Sequence, residues 1–566
     1  MNNQRKWWQS AVFYQIYPRS FADGNGDGIG DFKGMIEKLD YLKDLGIDAI
    51  WLSPHFPSPY IDCGYDVSDY RGVAPEYGTL AQFMEFLAGA HDRGIRLVLD
   101  LVLNHTSDRH AWFEESRKDK TNPKRDWYIW KPAHKGGPPN NWYSTFGGSA
   151  WELDSLTNEY YYHYFFKEQP DLNWKNPAVQ EAMFSEARFW LDIGVDGFRL
   201  DAVGTIFEDE RYLPITGDMT QEKLFRLSHL ARTPEENAKV VEQWMEMFHY
   251  QVDQPGVHQV TRDLRKMIDE YEDRVLIGET DDIAFYGKND DELHLNFNFP
   301  LMRTSVITAE HVRSNQQQRL AALPAGAWPC NTFGNHDSAR VFSNYGDGKN
   351  NEIQARLYLM LLLCLKGTPF LYNGEEIGMS DYLLEDAGQY KDPLGLLFYE
   401  MAKGELRFNE KEAIKVGSNR GRDKCRTPMQ WSNTTNGGFS PEGVTPWLPV
   451  NPDHLDGVNV AEQYGDPDSL WRFYQSLLHL RKGNQALSIG DYREVNSGVG
   501  DIFVFERSYG KETLSVVLNL SSKEQEFTND VHAFSSRTVI LSNMDNKELE
   551  TKSGIRLLPY QGIIYR

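Results

Sequence analysis

Short apolar runs alternate with helix-patterned stretches along the first two thirds of the chain, and this alternation limits the possible folds more than any other feature. The runs are Val12–Tyr17, Ala49–Leu52, Arg96–Leu103, Gly197–Asp201, Val275–Thr280, Thr332–Asn335 and Thr368–Tyr372. Strand then helix, repeated, implies a parallel sheet, because parallel neighbours need a crossover between them. Six of the runs lead straight into polar, catalysis-capable residues such as Asn104-His105, Asp201, Glu279 and His336-Asp337. In a (β/α)8 barrel the carboxyl ends of the strands converge on one face. Residues far apart in sequence are therefore expected to share one pocket.

The expected fold class is α/β. A (β/α)8 TIM barrel covers 1–104 and 175–486, a small inserted domain at 105–174 follows the third strand, and a C-terminal antiparallel β-sandwich domain covers 487–566. The insertion is inferred from an aromatic, Gly/Pro-rich segment between His105 and Trp174 that is too long for an ordinary βα loop. A further long irregular stretch is expected at roughly 380–460. Beyond it, segments such as Ile502–Glu506 and Leu514–Leu520 alternate with period two, as antiparallel strands do. A chain of 566 residues exceeds what one hydrophobic core usually supports, which suits a large barrel with attached modules.

With 82 Asp and Glu against 59 Lys and Arg, the net charge of -23 repels phosphate backbones and anionic lipids. Nucleic acid and membrane are thus not expected as partners, whereas small neutral sugars are. Met1–Phe21 carries no continuous apolar stretch, and the longest apolar run, Tyr358–Leu365, is under half a membrane span. Cys63, Cys330, Cys364 and Cys425 lie far apart and in no zinc-like spacing. The expected location is the cytoplasm, as a monomer or homodimer.

Gly197-Phe198-Arg199-Leu200-Asp201-Ala202 is the most informative run. Alternate strand residues share a face, so Arg199 and Asp201 point together. A guanidinium beside a carboxylate keeps it ionised, as a nucleophile attacking a sugar carbon requires. A structural ion pair explains the same two residues. Ile277-Gly278-Glu279-Thr280 supplies a second carboxylate, whose burial near other acids would raise its pKa and suit it to donate a proton. Phe333-Gly334-Asn335-His336-Asp337 and Asp100–His105 end two further strands, and taken singly such acids often only cap the next helix.

Taken in order, Asp100…Asn104-His105, Arg199-x-Asp201, Glu279 and His336-Asp337 resemble the motif set of the α-amylase superfamily, glycoside hydrolase family 13. Val12–Phe21, Gln169–Asn173 and Arg426-Thr427-Pro428-Met429-Gln430-Trp431 resemble its α-glucosidase and oligo-1,6-glucosidase branch. The resemblance implies Asp201 as nucleophile, Glu279 as general acid/base and Asp337 as the carboxylate that grips sugar hydroxyls. Double displacement with retention would follow, with nucleophile and acid about 5 Å apart. The resemblance also implies substrate contacts from Asp62, Tyr65, His105, Phe146, Phe165, Gln169, Arg199, His336 and Arg422. An Asp62–Arg422 pair would close the pocket behind a terminal glucose and make the enzyme exo-acting. Ala202, next to the nucleophile, implies a preference for α-1,4 links, since the α-1,6 enzymes of that branch tend to carry Val there. Rival readings are a glucosyltransferase or an isomerase that forms trehalose or sucrose isomers, and a non-catalytic binding protein associated with a transporter. The last would carry a membrane span and could dispense with the carboxylates.

Asp23-Gly24-Asn25-Gly26-Asp27-Gly28-Ile29-Gly30-Asp31 is too acidic for a phosphate loop. Oxygen ligands at alternate positions, from Asp23, Asn25, Asp27, the Ile29 carbonyl and Asp31, suit a hard cation. It is not an EF-hand, whose twelfth position would fall on Gly34. The family resemblance implies a structural Ca2+, and no organic cofactor is expected.

Overall fold

A computed structural model describes residues 5–527, 537–544, 549–550 and 555–566. Eight parallel strands form the centre: β1 Phe13–Ile16, β2 Ala49–Leu52, β3 Arg96–Val102, β4 Gly197–Asp201, β5 Val275–Gly278, β6 Leu295–Asn296, β7 Cys330–Thr332 and β8 Thr368–Tyr372. Their hydrogen-bonded order is β7-β8-β1-β2-β3-β4-β5-β6. Between β6 and β7 the barrel is closed by side chains: Cys330 Sγ donates to the Asn296 carbonyl at 3.1 Å, and Asn298 Nδ2 to Asn331 Oδ1 at 3.0 Å. The strands are buried on both faces, which is why they read as continuous apolar runs rather than alternating ones.

Seven of the eight strands coincide with runs found in the sequence. The missing one, β6, is two residues long and too short to leave a pattern. The run read as Thr332–Asn335 forms its strand two residues earlier, at Cys330–Thr332, which frees Gly334–Asp337 to turn over the top of the barrel. The apolar run at Tyr358–Leu365 belongs to helix Asn351–Cys364 and is buried all round. Among the described residues no helix is long and apolar enough to cross a membrane.

Three excursions rise above the catalytic face. The segment after β3 carries strands Trp130–Lys131, Trp151–Asp154 and Glu159–Tyr162 in a small antiparallel sheet. Trp142, Trp151, Tyr162 and Tyr164 pack there in a core shared with Leu224, Met247 and Phe248 of the next excursion. After β4 the chain forms helices Gln221–Leu230 and Pro234–Phe248. After β8, where an irregular stretch was expected, helices Pro393–Gly404 and Glu410–Arg420 pack side by side. Both are properly capped, by Asp392 and Asn409, and Tyr390, Tyr399, Ala402 and Ala413 form their joint core.

The C-terminal part holds a five-stranded antiparallel sheet (Asp491–Val495, Ile502–Tyr509, Glu512–Asn519, Gly562–Tyr565, Val539–Ser542) and a three-stranded one (Gln525–Phe527, Ile555–Leu557, Leu549–Glu550). Buried Arg507 ties it to the barrel. Its guanidinium donates to the Cys364 and Leu365 carbonyls at 2.7 and 2.8 Å, satisfying the end of helix Asn351–Cys364.

Candidate active site

Parallel pairing fixes the centre of the site. The register sets Asp100 beside Arg199 and Val102 beside Asp201 across β3 and β4, and Leu200 beside Gly278 across β4 and β5. Asp100, Arg199 and Asp201 thus point into the barrel together, and Glu279, one residue past β5, comes up next to them. Arg199 is 1% exposed. Its Nη1 donates to Asp100 Oδ1 and to Asp201 Oδ1, both at 2.6 Å, and its Nη2 pairs with Glu279 Oε2 at 2.7 Å. Glu279 Oε2 also accepts from the Ala202 N–H at 2.9 Å. Ala202 has φ 40° and ψ 42°, so the chain leaves β4 through the left-handed region.

One guanidinium faces three carboxylates. Arg199 alone would hold Asp201 below the usual carboxylate range, as the sequence suggested, but the structure reverses that expectation. Burial, reinforced by Glu279 and Asp100, pushes the Asp201 carboxyl well above its usual value against the pull of Arg199. Burial likewise pushes Asp100 up to about 6 despite Arg199. Three anions around one cation leave an excess negative charge that a buried site disfavours. Asp100 and Asp201 therefore hold their protons to higher pH than free carboxyl groups do.

Aromatic and imidazole groups form the floor. Tyr65 OH donates to Asp100 Oδ2 at 3.2 Å and lies 2.6 Å from His336 Nε2, while Trp51 Nε1 donates to the same carboxylate oxygen at 3.1 Å. Gln15 Nε2 stands 2.7 Å from His336 Nδ1. Burial drives the His336 pKa well below its usual value and that of His105 to about 4, so both rings are neutral hydrogen-bonding groups at pH 7. Burial also opposes the charge of Asp337. Next to His336, and with Arg426 Nη2 donating at 2.6 Å and Arg422 Nη1 at 3.7 Å, the carboxyl is nevertheless held well below the usual range. Because His336 is itself neutral, the two guanidinium groups account for that.

At the far end Arg422 Nη2 donates to Asp62 Oδ1 at 2.7 Å and to Asp392 Oδ1 at 2.8 Å, with Nε to Asp392 Oδ2 at 3.0 Å. Gln169 Nε2 donates to Asp62 Oδ2 at 3.0 Å and lies 2.8 Å from His105 Nε2. The Phe146 and Phe165 rings meet edge to face, 5.1 Å between centroids. Asp62, Tyr65, His105, Phe146, Phe165, Asp201, Ala202, Glu279, Asp337 and Arg422 line one cavity of about 540 Å3. Gln169, Arg199 and His336 lie behind that lining, buried and bonded to it.

Asp392 and Arg426 were not among the pocket residues picked from sequence. Asp392 precedes Pro393 and caps its helix, accepting from Leu394 N at 3.2 Å. Its second duty is as partner of Arg422. Arg426 stood in a recognised motif, but nothing in the motif says that it faces Asp337.

The Asp23–Asp31 loop shares no residue with the cavity lining. Its acids face the loop's own amides: Asp23 accepts from Gly26 and Gly28 at 2.6 and 2.8 Å, Asp27 from Ile29 at 2.9 Å, and Asp31 from Asn25 and Gly34 at 2.8 and 2.7 Å. Among the described residues no three acidic, histidine or cysteine side chains are grouped to hold a metal. A cation here would therefore also need Asn25 and the Ile29 carbonyl.

The model of the alpha amylase catalytic domain matches residues 15–490. The chain is 38% identical to an oligo-1,6-glucosidase of Parageobacillus thermoglucosidasius, covering 100% of this chain and 99% of that one. It is 40% identical to a probable alpha-glucosidase of Rhizobium meliloti, over 92% and 90% of the two chains. Among solved structures, the trehalulose synthase of Pseudomonas mesoacidophila superimposes with a TM-score of 0.86 at 36% identity, over 99% of each chain.

Asp392→Asn removes the charge that balances Arg422 in a buried pair. The expected loss of folding stability is about 2–3 kcal/mol, read as a lower midpoint in urea at pH 7. An unchanged midpoint would show that Asp62 and Asp337 suffice for Arg422.

Proposed function

The chain belongs to the α-amylase family and is a glycoside hydrolase, and on that basis we propose that it is an exo-acting, retaining α-glucosidase removing terminal glucose from maltose and short oligosaccharides. The observation that carries the reading is a pair of carboxylates, Asp201 and Glu279, held on one guanidinium inside a cavity that is also lined by the bonded pair Asp62 and Arg422. Sharing one guanidinium favours the separation of about 5 Å of retaining enzymes over the ~6.5–9.5 Å that leaves room for water between acid and base. In this reading the Asp62–Arg422 pair closes the cavity behind the last glucose of a chain.

In this reading Asp201 attacks C1 of the glucose while Glu279 protonates the departing oxygen. Glu279 then takes a proton from water, whose oxygen displaces Asp201 and restores the original configuration at C1. Asp337, held ionised by Arg426 and Arg422, binds sugar hydroxyls and favours positive charge at C1. Transfer to a second sugar instead of water is the second reading, supported by the likeness to a trehalulose synthase. Analysis of products over time from maltose, isomaltose, sucrose and trehalose separates the two. Four unpaired, buried cysteines support a reducing, cytoplasmic location.

Asp201→Asn is expected to lower kcat by at least about 10^4-fold, whereas Glu279→Gln retains measurable turnover of aryl glucosides whose phenol leaves without protonation. Near wild-type rates in Asp201→Asn would overturn the assignment.

We further propose that the Asp23–Asp31 loop holds Ca2+ through Asp23, Asn25, Asp27, the Ile29 carbonyl and Asp31. The donors are all hard oxygens, and a carboxylate oxygen bonded to an amide keeps a second lone pair for a cation. Bound Ca2+ adds stability by mass action, so chelation is expected to lower the Tm and added Ca2+ to restore it, with activity retained at low temperature. Identical melting with and without chelator counts against the site.

Linkage preference is assigned to Ala202, which lines the cavity and whose N–H holds Glu279. Two extra methyl groups there would narrow the space for a glucose joined through O4, while an O6 link has a further rotatable bond to swing clear. A small displacement of the reacting atoms costs about 100-fold in rate. Maltose is expected to be cleaved in preference to isomaltose, and Ala202→Val to shift the kcat/KM ratio toward isomaltose. Since β-branched residues resist positive φ, the Tm of the variant is to be measured alongside. A wild type faster on isomaltose, as the names of several relatives suggest, would remove Ala202 as the determinant.

A further inference from the structure

A second cavity, of about 270 Å3, adjoins the catalytic one and shares Trp244 and Arg420 with it. Phe146 stands between the two: it lines the catalytic cavity, while its neighbours Thr145 and Gly147 line the other. The walls come from the excursions after β4 and β8. Helix Pro234–Phe248 gives Val240, Trp244 and Phe248, and helix Pro393–Gly404 gives Leu397, Phe398 and Met401. Leu224 and Phe225 complete the apolar surface.

Among the polar groups in this lining, Gln221, Ser228 and Thr145 are bonded to protein, while the Arg420 guanidinium faces aromatic rings. Gln221 accepts from Gly148 N at 2.8 Å and donates to the Ser144 carbonyl. Ser228 Oγ donates to the Phe225 carbonyl at 2.8 Å, and Thr145 bonds Tyr164. The Arg420 guanidinium lies 5.1 and 5.5 Å from the Phe225 and Phe398 ring centroids. A sugar ring brought here would bury most of its hydroxyls against apolar side chains, with the Arg420 guanidinium as their chief donor, which is unfavourable. An apolar group meets no such penalty, and the volume exceeds the ~150 Å3 that accommodates a benzene ring.

We propose that this chamber is an aglycone site that takes the alkyl or aryl group of an α-glucoside whose glucose occupies the catalytic cavity. The proposal rests on the α-glucosidase reading above and extends it from sugar acceptors to glucosides of apolar alcohols. The reaction is the same hydrolysis: the oxygen of water bonds to C1, the C1–O bond to the alcohol breaks, and the alcohol oxygen keeps the electron pair and takes the proton. Trp244 and Arg420 line both spaces, which sets the chamber directly beside the cavity that holds the glucose.

Hexyl and methyl α-glucosides compared as substrates, and their non-hydrolysed 1-thio analogues compared by calorimetry, test the proposal. Each methylene moved from water into apolar contact favours binding about fourfold. The hexyl compound is therefore expected to exceed the methyl one at least tenfold in kcat/KM and in affinity. Val240→Glu, which puts a charge in the chamber, and Ser228→Phe, which fills it, are each expected to bring both ratios within twofold. Equal values for the two glucosides in the wild type, or a tenfold ratio that survives both variants, overturns the proposal. A protein that turns over neither glucoside but binds the hexyl thioglucoside tenfold more tightly refutes the hydrolase reading and upholds the chamber.

Discussion

Everything at the top of the barrel is arranged around Arg199. A guanidinium with 1% exposure is costly to bury unless its charge is met, and it is met three times, by Asp100, Asp201 and Glu279. These acids come from three neighbouring strands, so the cation fixes the relative height of β3, β4 and β5 as well as the direction of each carboxylate. The same arrangement leaves more negative than positive charge in a dry place. Burial together with that excess raises the pKa of Asp201 and Asp100 against the pull of Arg199.

A second guanidinium repeats the solution elsewhere in the cavity lining with different consequences. Arg422 is held by Asp392 in two hydrogen bonds and reaches Asp62 and Asp337 from there. Arg426 adds to the positive side, and Asp337 accordingly falls to a low pKa whereas Asp201 rises. Acids of one chemical type, lining one cavity, are driven in opposite directions by the count of cations each one faces. The excursion after β8 supplies both arginines and so controls the electrostatics of residues carried by the barrel.

The excursions also set the shape. The small sheet after β3 brings Phe146 and Phe165 to the cavity, the helices after β4 bring Trp244, and those after β8 bring Arg420 and Arg422. Loops placed on a rigid barrel in this way can change what enters without disturbing the carboxylates beneath.

The sequence by itself located seven of the eight strands, though it put β7 two residues late, because burial on both faces forces continuous apolar runs and the polar residues that follow them stand out. It also determined which of Arg199, Leu200 and Asp201 share a face, since the period of two is a local property of the strand. It could not reveal β6, whose two residues carry no period, nor the helices at 393–404 and 410–420, whose small apolar faces look irregular until they pack on each other. Nothing along the chain pointed to Asp392, because its pairing with Arg422 spans a loop and two helices. The protonation of Asp201 was misjudged for a related reason. One neighbouring arginine is visible along the strand, but burial and the acids of β3 and β5 exist only once the strands lie side by side, and pKa values answer to all neighbours in space rather than to those in sequence.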